Sequence, residues 1–249
     1  MAGHSKWKQI KRKKAVTDQR RGAAFTKLIK EITVAARQGG GDPAGNARLR
    51  VAIDAARQSN MPQDNIERAI KKGTGELEGV TYEEVIYEGY GPGGAAIMMQ
   101  VTSDNLNRTV AEIRHLFSRF GGNLGSPNSV AWMFDKKGLV YLDASRYEED
   151  AALEAALDAG ADDVSRDGDQ FVITTEPIAL HQVQDALRAR GLEPAEAEIA
   201  LTPRSTVTVQ GADAEKLLKL MEALEEHDDV SKVFSNFDID AETIAAVGG

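Results

Sequence analysis

The spacing of apolar residues changes near residue 75, from the period of an amphipathic α-helix to the period of a β-strand. Before that point, a helical stripe runs up to the glycines at 39–41, where we expect the first helix to end. The residues of this stripe are Phe25, Leu28, Ile29, Ile32, Ala35 and Ala36. A second helix is predicted after the N-cap and first-turn proline Asp42-Pro43, and a third from Pro62 to the residue before Gly73. The first third of the chain is therefore predicted to be a small helical domain.

Strands alternate with helices after residue 79. Strands are predicted at 82–88, 95–102 and 130–134, because apolar residues there recur at every second position or in short unbroken runs. The helix between the last two strands is predicted from an apolar stripe at Leu106, Val110, Ile113, Phe117 and Phe120. The glycine-rich segment at 89–94 matches GxGxxG, but a strand and not a helix follows it, which favours a tight strand connection over a dinucleotide site.

Residues 139–201 have the order strand, helix, strand, strand, helix, strand, which is typical of a ferredoxin-like unit. A capping box formed by Ser145 and Glu148 is predicted to open the first of these helices. After this unit we predict a strand at 206–209, a helix at 212–227 and a strand at 230–236. We expect these last elements to complete the sheet that begins at residue 82.

The predicted fold class is therefore α+β with three domains: an N-terminal three-helix domain, then two ferredoxin-like α/β domains, the third inserted into the second. The predicted boundaries are 1–21 for a basic arm, 22–78 for the helical domain, 79–136 plus 203–240 for the second domain, 137–202 for the inserted domain and 241–249 for a C-terminal tail.

The charges of the chain are segregated by sequence position. Residues 1–75 contain 17 Lys and Arg against 6 Asp and Glu, a net charge of +11. The remainder contains 13 basic and 33 acidic residues, a net charge of −20, so the overall charge of −9 conceals a basic segment. Such asymmetry indicates nucleic-acid binding by the basic part, whereas the acidic part is expected to avoid phosphate.

The arm combines cations with one aromatic ring. Cations neutralise phosphates, and the indole of Trp7, between two lysines, can either stack on an unpaired base or pack onto the helical domain as an anchor. A solvated tail is the competing interpretation. The positive charge also continues into the helices. The predicted nucleic-acid-binding residues are Lys6, Trp7, Lys8, Lys11, Arg12, Lys13, Lys14, Arg20, Arg21, Lys27, Lys30, Arg48 and Arg50.

Other candidate sites are less specific. Arg108, His115 and Arg119 share the polar face of the predicted helix at 106–120, where they could contact a partner or form an ordinary charged surface. No catalytic motif occurs, and the four histidines lack metal-ligand spacing, so we predict no catalytic residue, no bound metal and no cofactor. The longest apolar runs have five residues, far below the roughly 18 needed to span a bilayer. With no secretory signal pattern at the start, we predict a cytoplasmic protein without membrane contact.

Several longer motifs resemble one family. They are MAGHSKW at 1–7, GGGDP at 39–43, NARLR at 46–50, NMPQDNIERAI at 60–70, YEGYGPGG at 87–94 and SDNLNRTVAEIRHLF at 103–117. In these segments the chain resembles the YebC/PmpR family, whose mitochondrial relatives are translational activators. The resemblance implies three domains, with the third inserted into the second, and no known catalysis. The chain departs from the usual family sequence at 11–14, which reads KRKK, and at Pro127-Asn128.

The functional prediction that follows is a non-enzymatic, nucleic-acid-binding regulator of gene expression. The resemblance implies either a DNA-binding transcriptional regulator or a ribosome-associated translation factor acting through ribosomal RNA. The acidic α/β domains are expected to contact the ribosome or another protein. The alternative hypothesis is a small-molecule sensor or an enzyme that uses the ferredoxin-like domains, which rests on fold analogy alone.

Overall fold

The structure is a computed structural model that describes residues 18–240 and Thr243, with side chains from Gly22 onward. Most of the predicted arm and tail, including Lys6 to Lys14, lies outside the described residues. The described helices are α1 (Asp18–Gly39), α2 (Ala47–Gln58), α3 (Gln63–Thr74), α4 (Leu106–Phe120), α5 (Glu149–Asp158), α6 (Leu180–Ala189) and α7 (Gly211–Glu226). The strands are β1 (Glu83–Tyr90), β2 (Ala96–Ser103), β3 (Asn123–Leu124), β4 (Phe134–Asp143), β5 (Asp163–Asp167), β6 (Gln170–Thr175), β7 (Glu196–Pro203), β8 (Val207–Thr208), β9 (Val230–Ser235) and β10 (Phe237–Asp238).

Helices α1, α2 and α3 bury an aliphatic core of their own, which includes Ile32, Leu49 and Ile66. The helices α1 and α3 approach closely at Gly73, where a Cβ atom would lie 2.4 Å from the carbonyl oxygen of Thr33. Gly73 is therefore a packing position inside α3, and the prediction that it lies just beyond this helix is wrong. The helix instead ends at Thr74 and is capped by Gly75, whose positive φ of 84° suits glycine.

Two four-stranded antiparallel sheets, with a short parallel pair formed by β8 and β10, make up the strands of the described chain. The first has the strand order β3-β1-β2-β9 and is covered on one face by α4 and α7. The predicted strand at 206–209 pairs with β10 and does not join this first sheet. The second has the order β5-β6-β4-β7, is covered by α5 and α6, and has the connectivity of a ferredoxin-like unit. Since the second sheet is built between β3 and β9 of the first, it is an insertion. The predicted α+β fold class is confirmed.

The two sheets face each other across a shared apolar layer. Met98 on β2 and Phe234 on β9 pack in one cluster with Leu139 and Tyr141 on β4. The result is four layers in the order helices, sheet, sheet, helices, with the apolar alternation of each strand divided between two cores. Among the residues that the structure describes, no helix combines the length and apolar content needed to cross a membrane.

Two local predictions are wrong for identifiable reasons. Residues 130–134 do not form a strand: Ala131–Met133 is a short 3₁₀ turn, and the strand β4 begins at Phe134. The predicted capping box also fails, since Ser145 donates its hydroxyl and backbone N–H to Asp143 instead, and α5 begins after Glu148 without a side-chain cap. At Ser145 a local hydrogen bond to Asp143 replaces the expected cap, whereas at 130–134 hydrogen bonds to a residue distant in sequence replace the strand.

The 3₁₀ turn is organised by the buried carboxylate of Glu88 on β1. One carboxylate oxygen accepts a hydrogen bond from the backbone N–H of Asn128 at 2.7 Å, and the other accepts from Val130 at 2.7 Å and Ala131 at 2.9 Å. Asn128 has a left-handed φ of 68°, a conformation that asparagine tolerates better than most residues. Glu88 therefore fixes a loop that is distant in sequence.

We predict that Glu88→Gln destabilises this loop, because the glutamine NH₂ group replaces one accepting oxygen opposite a backbone N–H. The expected loss is about 1–3 kcal/mol in the free energy of unfolding. Chemical denaturation followed by Trp132 fluorescence, in a Trp7→Phe background, measures it. Glu83→Gln, at an exposed position of the same strand, is the matched control. Equal stability of the two variants would contradict the assigned role of Glu88.

Candidate nucleic-acid interface and the interdomain cleft

The predicted nucleic-acid-binding residues fall into three groups in the structure. Lys6 to Lys14 lie outside the described residues, and Arg20 and Arg21 lie in the first turn of α1 with side chains that are not described. Contacts with the second domain hold the side chains of Lys27, Lys30 and Arg48. Arg50, on α2, is exposed, and its guanidinium donates to the carbonyl oxygen of Pro43 at 3.2 Å.

Lys27 and Lys30 join the helical domain to the second domain. The ammonium of Lys27 donates to the carbonyl oxygen of Glu225 at the end of α7. Lys30 is buried, and its ammonium forms an ion pair with the carboxylate of Asp229 and donates to the carbonyl oxygen of Asp228 at 3.0 Å. In this structure the charge of Lys30 is neutralised inside the protein.

Arg48 forms a second connection between the same two domains. Its guanidinium donates to both carboxylate oxygens of Glu31 on α1, at 2.7 and 3.0 Å, and to both of Glu84 on β1, at 2.6 and 3.1 Å. A hydrogen bond to Gln38 at 2.7 Å completes the set. Hydrogen bonds from Arg48 lower the pKa of Glu84, and hydrogen bonds to Glu31 and Glu84 raise the pKa of Arg48. Paired guanidinium and carboxylate groups of this geometry fix orientation as well as charge.

Asp229, in the turn between α7 and β9, is the centre of the first connection. Its side chain is 4% exposed. Besides Lys30, it accepts hydrogen bonds from Arg108 at 2.8 Å, from Ser103 at 3.1 Å and from the hydroxyl of Thr109. Burial alone would raise the pKa of this carboxyl, but the hydrogen bonds from Lys30, Thr109 and Arg108 outweigh burial and hold the pKa well below its usual range.

A cleft of about 940 Å³ opens beside this network, between α1, α4 and the end of α7. Its ionisable lining consists of Lys30, Tyr82, Asp104, Arg108, Glu112, His115, Glu226, His227, Asp228 and Asp229. Five carboxylates against two permanent cations make the cleft acidic. Burial, together with the negative charges of Asp104 and Asp229, raises the pKa of Tyr82. An acidic cleft repels phosphate, so it does not extend the predicted nucleic-acid interface.

Glu112, His227 and Asp229 bring potential metal-ligand atoms within 4.8 Å of one another. Each already has a partner in the described part of the chain. One ring nitrogen of His227 accepts from the backbone N–H of Asp229 at 3.1 Å, and the other lies 3.0 Å from a carboxylate oxygen of Glu112. A cation would have to displace these contacts and those of Lys30 and Arg108, so the three residues are better explained as a network that orders the turn.

The polar face of α4 divides between two environments. Arg108 and His115 both line the cleft, as their shared face predicts, but Arg108 is held by Asp104 and Asp229. Arg119, one turn further along, is outside the cleft lining, and its guanidinium lies 5.4 Å from the ring centre of Phe120. His115 is exposed, lines the cleft and forms no ion pair with the residues that the structure describes. Among the three candidate partner contacts, it is therefore the one in the cleft that is left for a partner.

Two domain models of one protein family match adjoining parts of this chain. Residues 5–76 match the TACO1/YebC protein N-terminal domain, and residues 82–237 match the TACO1/YebC second and third domain. The chain belongs to the TACO1/YebC family. The resemblance stated from the sequence motifs is thereby confirmed, and it extends over both the helical and the α/β parts.

Similar proteins support the same family membership. A probable transcriptional regulatory protein of Gemmatimonas aurantiaca is 60% identical over 98% of this chain and 99% of its own length. A protein of the same name from Acidithiobacillus ferrooxidans is 57% identical over 98% of each chain. Among solved structures, the conserved hypothetical protein Aq1575 from Aquifex aeolicus is 48% identical, with a TM-score of 0.81 over 90% of this chain and 92% of its own. The names of the first two relatives describe them as probable transcriptional regulators.

Structural roles for Glu84, Glu88 and Asp229 were not predicted from the sequence. The first two belong to an acidic strand, and Asp229 to an acidic run that resembles a solvated surface. A usable signal for Asp229 was its position directly before the apolar start of β9, because a residue there lies at the buried end of the sheet. Its partners, Lys30 and Arg108, are far away in the sequence.

We predict that Asp229 makes stability depend on pH. Its pKa is lowered on folding, so its contribution is fully present above the ordinary aspartate pKa of about 3.9 and is lost as the pH falls below that value. Asp229→Asn should lower the free energy of unfolding by about 3 kcal/mol at neutral pH, because Lys30 loses its buried partner. The variant should also lose less stability than the natural chain between about pH 5 and pH 2.

Denaturant titrations at a series of pH values test this expectation. Asp228→Asn is the matched control, because Asp228 is adjacent and its side chain is exposed. Parallel pH profiles for the natural chain and Asp229→Asn would show that the carboxylate of Asp229 is not the group responsible.

Proposed function

We propose that this protein is a cytoplasmic regulator of gene expression that binds nucleic acid through its basic N-terminal third, without catalysis. Support comes from the regulatory names of relatives that are 57–60% identical over nearly the whole chain. Both DNA and ribosomal RNA present the phosphates that such a surface neutralises, so the proposal covers a transcriptional and a translational role. Phosphate contacts carry little sequence information and do not choose between them.

The distribution of exposed cations carries the proposal. Residues 22–75 contain nine Lys and Arg against five Asp and Glu, and three of the nine, Lys27, Lys30 and Arg48, bind acidic residues or carbonyl groups of the second domain. Two more have partners within the helical domain: Arg50 donates to the carbonyl oxygen of Pro43 at 3.2 Å, and Arg57 lies 3.7 Å from a carboxylate oxygen of Asp54. These two and the four remaining cations are exposed: Arg37, Arg50, Arg57, Arg68, Lys71 and Lys72. Residues 1–21 add eight cations against one aspartate. The largest excess of positive charge is therefore in the arm, and the arm is the part we propose to supply most phosphate contacts.

The acidic α/β domains have a different proposed role. Their net charge of −20 after residue 75 disfavours contact with long stretches of phosphate. We propose that they face a basic protein surface, on the ribosome or on another partner, while the helical domain and arm hold the nucleic acid. The connections through Lys30 and Arg48 would then keep the two kinds of surface at a fixed distance from each other.

Salt dependence tests the proposed binding mode. If about five phosphates are neutralised, the logarithm of the affinity should fall with the logarithm of salt concentration with a slope of about −4.5 on duplex DNA and about −3.5 on single strands. Fluorescence anisotropy with labelled duplex DNA and labelled RNA at several salt concentrations provides the slope. Affinity that does not change with salt would contradict binding by phosphate neutralisation.

Paired variants locate the contacts. Lys13→Ala with Lys14→Ala should weaken binding to all sequences to a similar extent and reduce the magnitude of the salt slope by about 2 units on duplex DNA. The matched control is Lys216→Ala with Lys219→Ala, which removes the same charge from exposed positions of α7. An equal loss of affinity in both double variants would mean that overall charge, and not the arm, determines binding.

A further inference from the structure

Trp132 is an exposed aromatic residue in the acidic half of the chain. Its side chain is 64% exposed, and it lies in the 3₁₀ turn Ala131–Met133 immediately before β4. The other large exposed apolar side chains of the described chain are aliphatic. A tryptophan usually buries most of its area, so one that stays in water is a candidate for contact with a partner.

The indole is held in place by the loop beneath it. Its ring N–H donates to the carbonyl oxygen of Ser129 at 3.1 Å, and the hydroxyl of Tyr90 donates to the same oxygen at 2.9 Å. The three hydrogen bonds accepted by Glu88 fix the backbone on both sides of Ser129. The exposed ring is therefore presented at low cost in side-chain entropy, which favours binding.

The chemistry that the ring offers is limited to its π faces. The ring N–H, which is its hydrogen-bond donor, is already used inside the protein, so a partner would recognise the ring by stacking. The exposed neighbours in the loop, Ser126, Pro127 and Asn128, do not form the contiguous apolar patch that a protein partner usually buries. This setting favours a flat ligand over an apolar protein surface.

Two exposed cations, Arg204 and Lys136, lie next to the turn in space or in sequence, although this half of the chain is acidic overall. Arg204 follows β7, its backbone N–H donates to the carbonyl oxygen of Met133 at 2.9 Å, and its side chain is 61% exposed. Asp135 orients its guanidinium through hydrogen bonds at 2.7 and 3.1 Å. Residues 125–137 and 203–206 together contain Lys136, Lys137 and Arg204 against Asp135, but the ammonium of Lys137 is paired with the carboxylates of Asp162 and Glu176. Lys136 and Arg204 therefore remain against Asp135. The residues next to the turn therefore have a small excess of positive charge.

We propose that Trp132 is a stacking platform for an unpaired base of single-stranded RNA, with Arg204 and Lys136 close to the adjoining phosphates. An aromatic face next to cations is the combination by which proteins bind single strands with little sequence preference. In a duplex, base pairing and stacking cover the faces of the bases, so duplex DNA is not the ligand of this surface. The inference rests on the proposed function, to which it adds a second contact remote from the arm.

Fluorescence of Trp132 tests this contact directly. The chain has two tryptophans, so Trp7→Phe leaves Trp132 as the reporter, and the affinity of that variant is the reference. The probes are an oligouridine of about 12 nucleotides, within the site sizes of single-strand binders, and a duplex DNA of equal length. Trp132 emission should be quenched as the oligouridine saturates the protein, and quenching by the duplex should be much weaker.

Affinity measurements on variants of the full chain complete the test. Trp132→Ala should weaken binding of the oligouridine about 5-fold to 100-fold, the range expected for one stacked base, and Trp132→Phe should recover much of the loss. Ile178→Ala is the matched control, because Ile178 is 95% exposed and lies in the inserted domain. Since Trp132 and Ile178 are both exposed, the variants at these two positions are expected to fold.

The possible outcomes separate the inference from the proposed function. RNA binding with unchanged Trp132 emission and a Trp132→Ala affinity equal to the reference would overturn the inference and leave the proposed function standing. Loss of a protein partner with Trp132→Ala, without any effect on RNA, would overturn it in favour of a protein interface. If the chain binds neither probe at low salt, the inference and the proposed function both fail.

Discussion

The buried carboxylate of Asp229 is the group on which the arrangement of the domains depends. It lies at the point where the helical domain meets the second domain, and it accepts hydrogen bonds from Lys30 of the first and from Arg108, Thr109 and Ser103 of the second. A carboxylate removed from water is costly unless it is paired and hydrogen-bonded, so these donors are required once Asp229 is buried. The contact fixes α1 against α4 and the turn before β9.

The segregation of charge along the sequence thus serves the fold as well as the proposed function. Cations of the basic third meet acceptors of the acidic remainder at two places, Lys30 with Asp229 and Arg48 with Glu84. The more exposed pair, at Arg48, contributes less to stability than the buried pair because water screens it. Cations that are used in this way do not contribute to a surface for phosphate. The proposed nucleic-acid interface therefore shifts towards the arm and the exposed residues of α2 and α3.

The fold was largely predictable from the sequence because apolar periodicity is a local property. The stripes of α1 and α4 and the order of elements in the inserted domain follow from residue spacing alone. The turn at Ala131–Met133 could not be predicted in this way, because its apolar run resembles a strand. Its geometry depends on Glu88, which lies more than forty residues earlier. Gly73 was predicted to follow the end of a helix. The structure shows instead that a glycine is needed there because α1 packs closely against it at Thr33.

The candidate sites were less predictable than the fold. Sequence identified Lys30, Arg48 and Arg108 as charged residues of interest, but it could not show that carboxylates nearly two hundred residues away, or on a different domain, already bind them. The exposure of Trp132 was not predicted, because residues 130–134 were predicted to form a strand. In each case the decisive information is the partner in space. The family resemblance supplied a class of function without supplying these partners.

A double-mutant cycle between Lys30 and Asp229 tests whether this ion pair holds the helical domain against the second domain. Lys30→Met, Asp229→Asn and the double variant are compared with the natural chain by the free energy of unfolding at neutral pH. If the two groups hold the domains together as a pair, the loss in the double variant should be smaller than the sum of the single losses by about 1–3 kcal/mol. Losses that simply add would show that the two residues stabilise the protein independently, and would contradict their role as a pair between the domains.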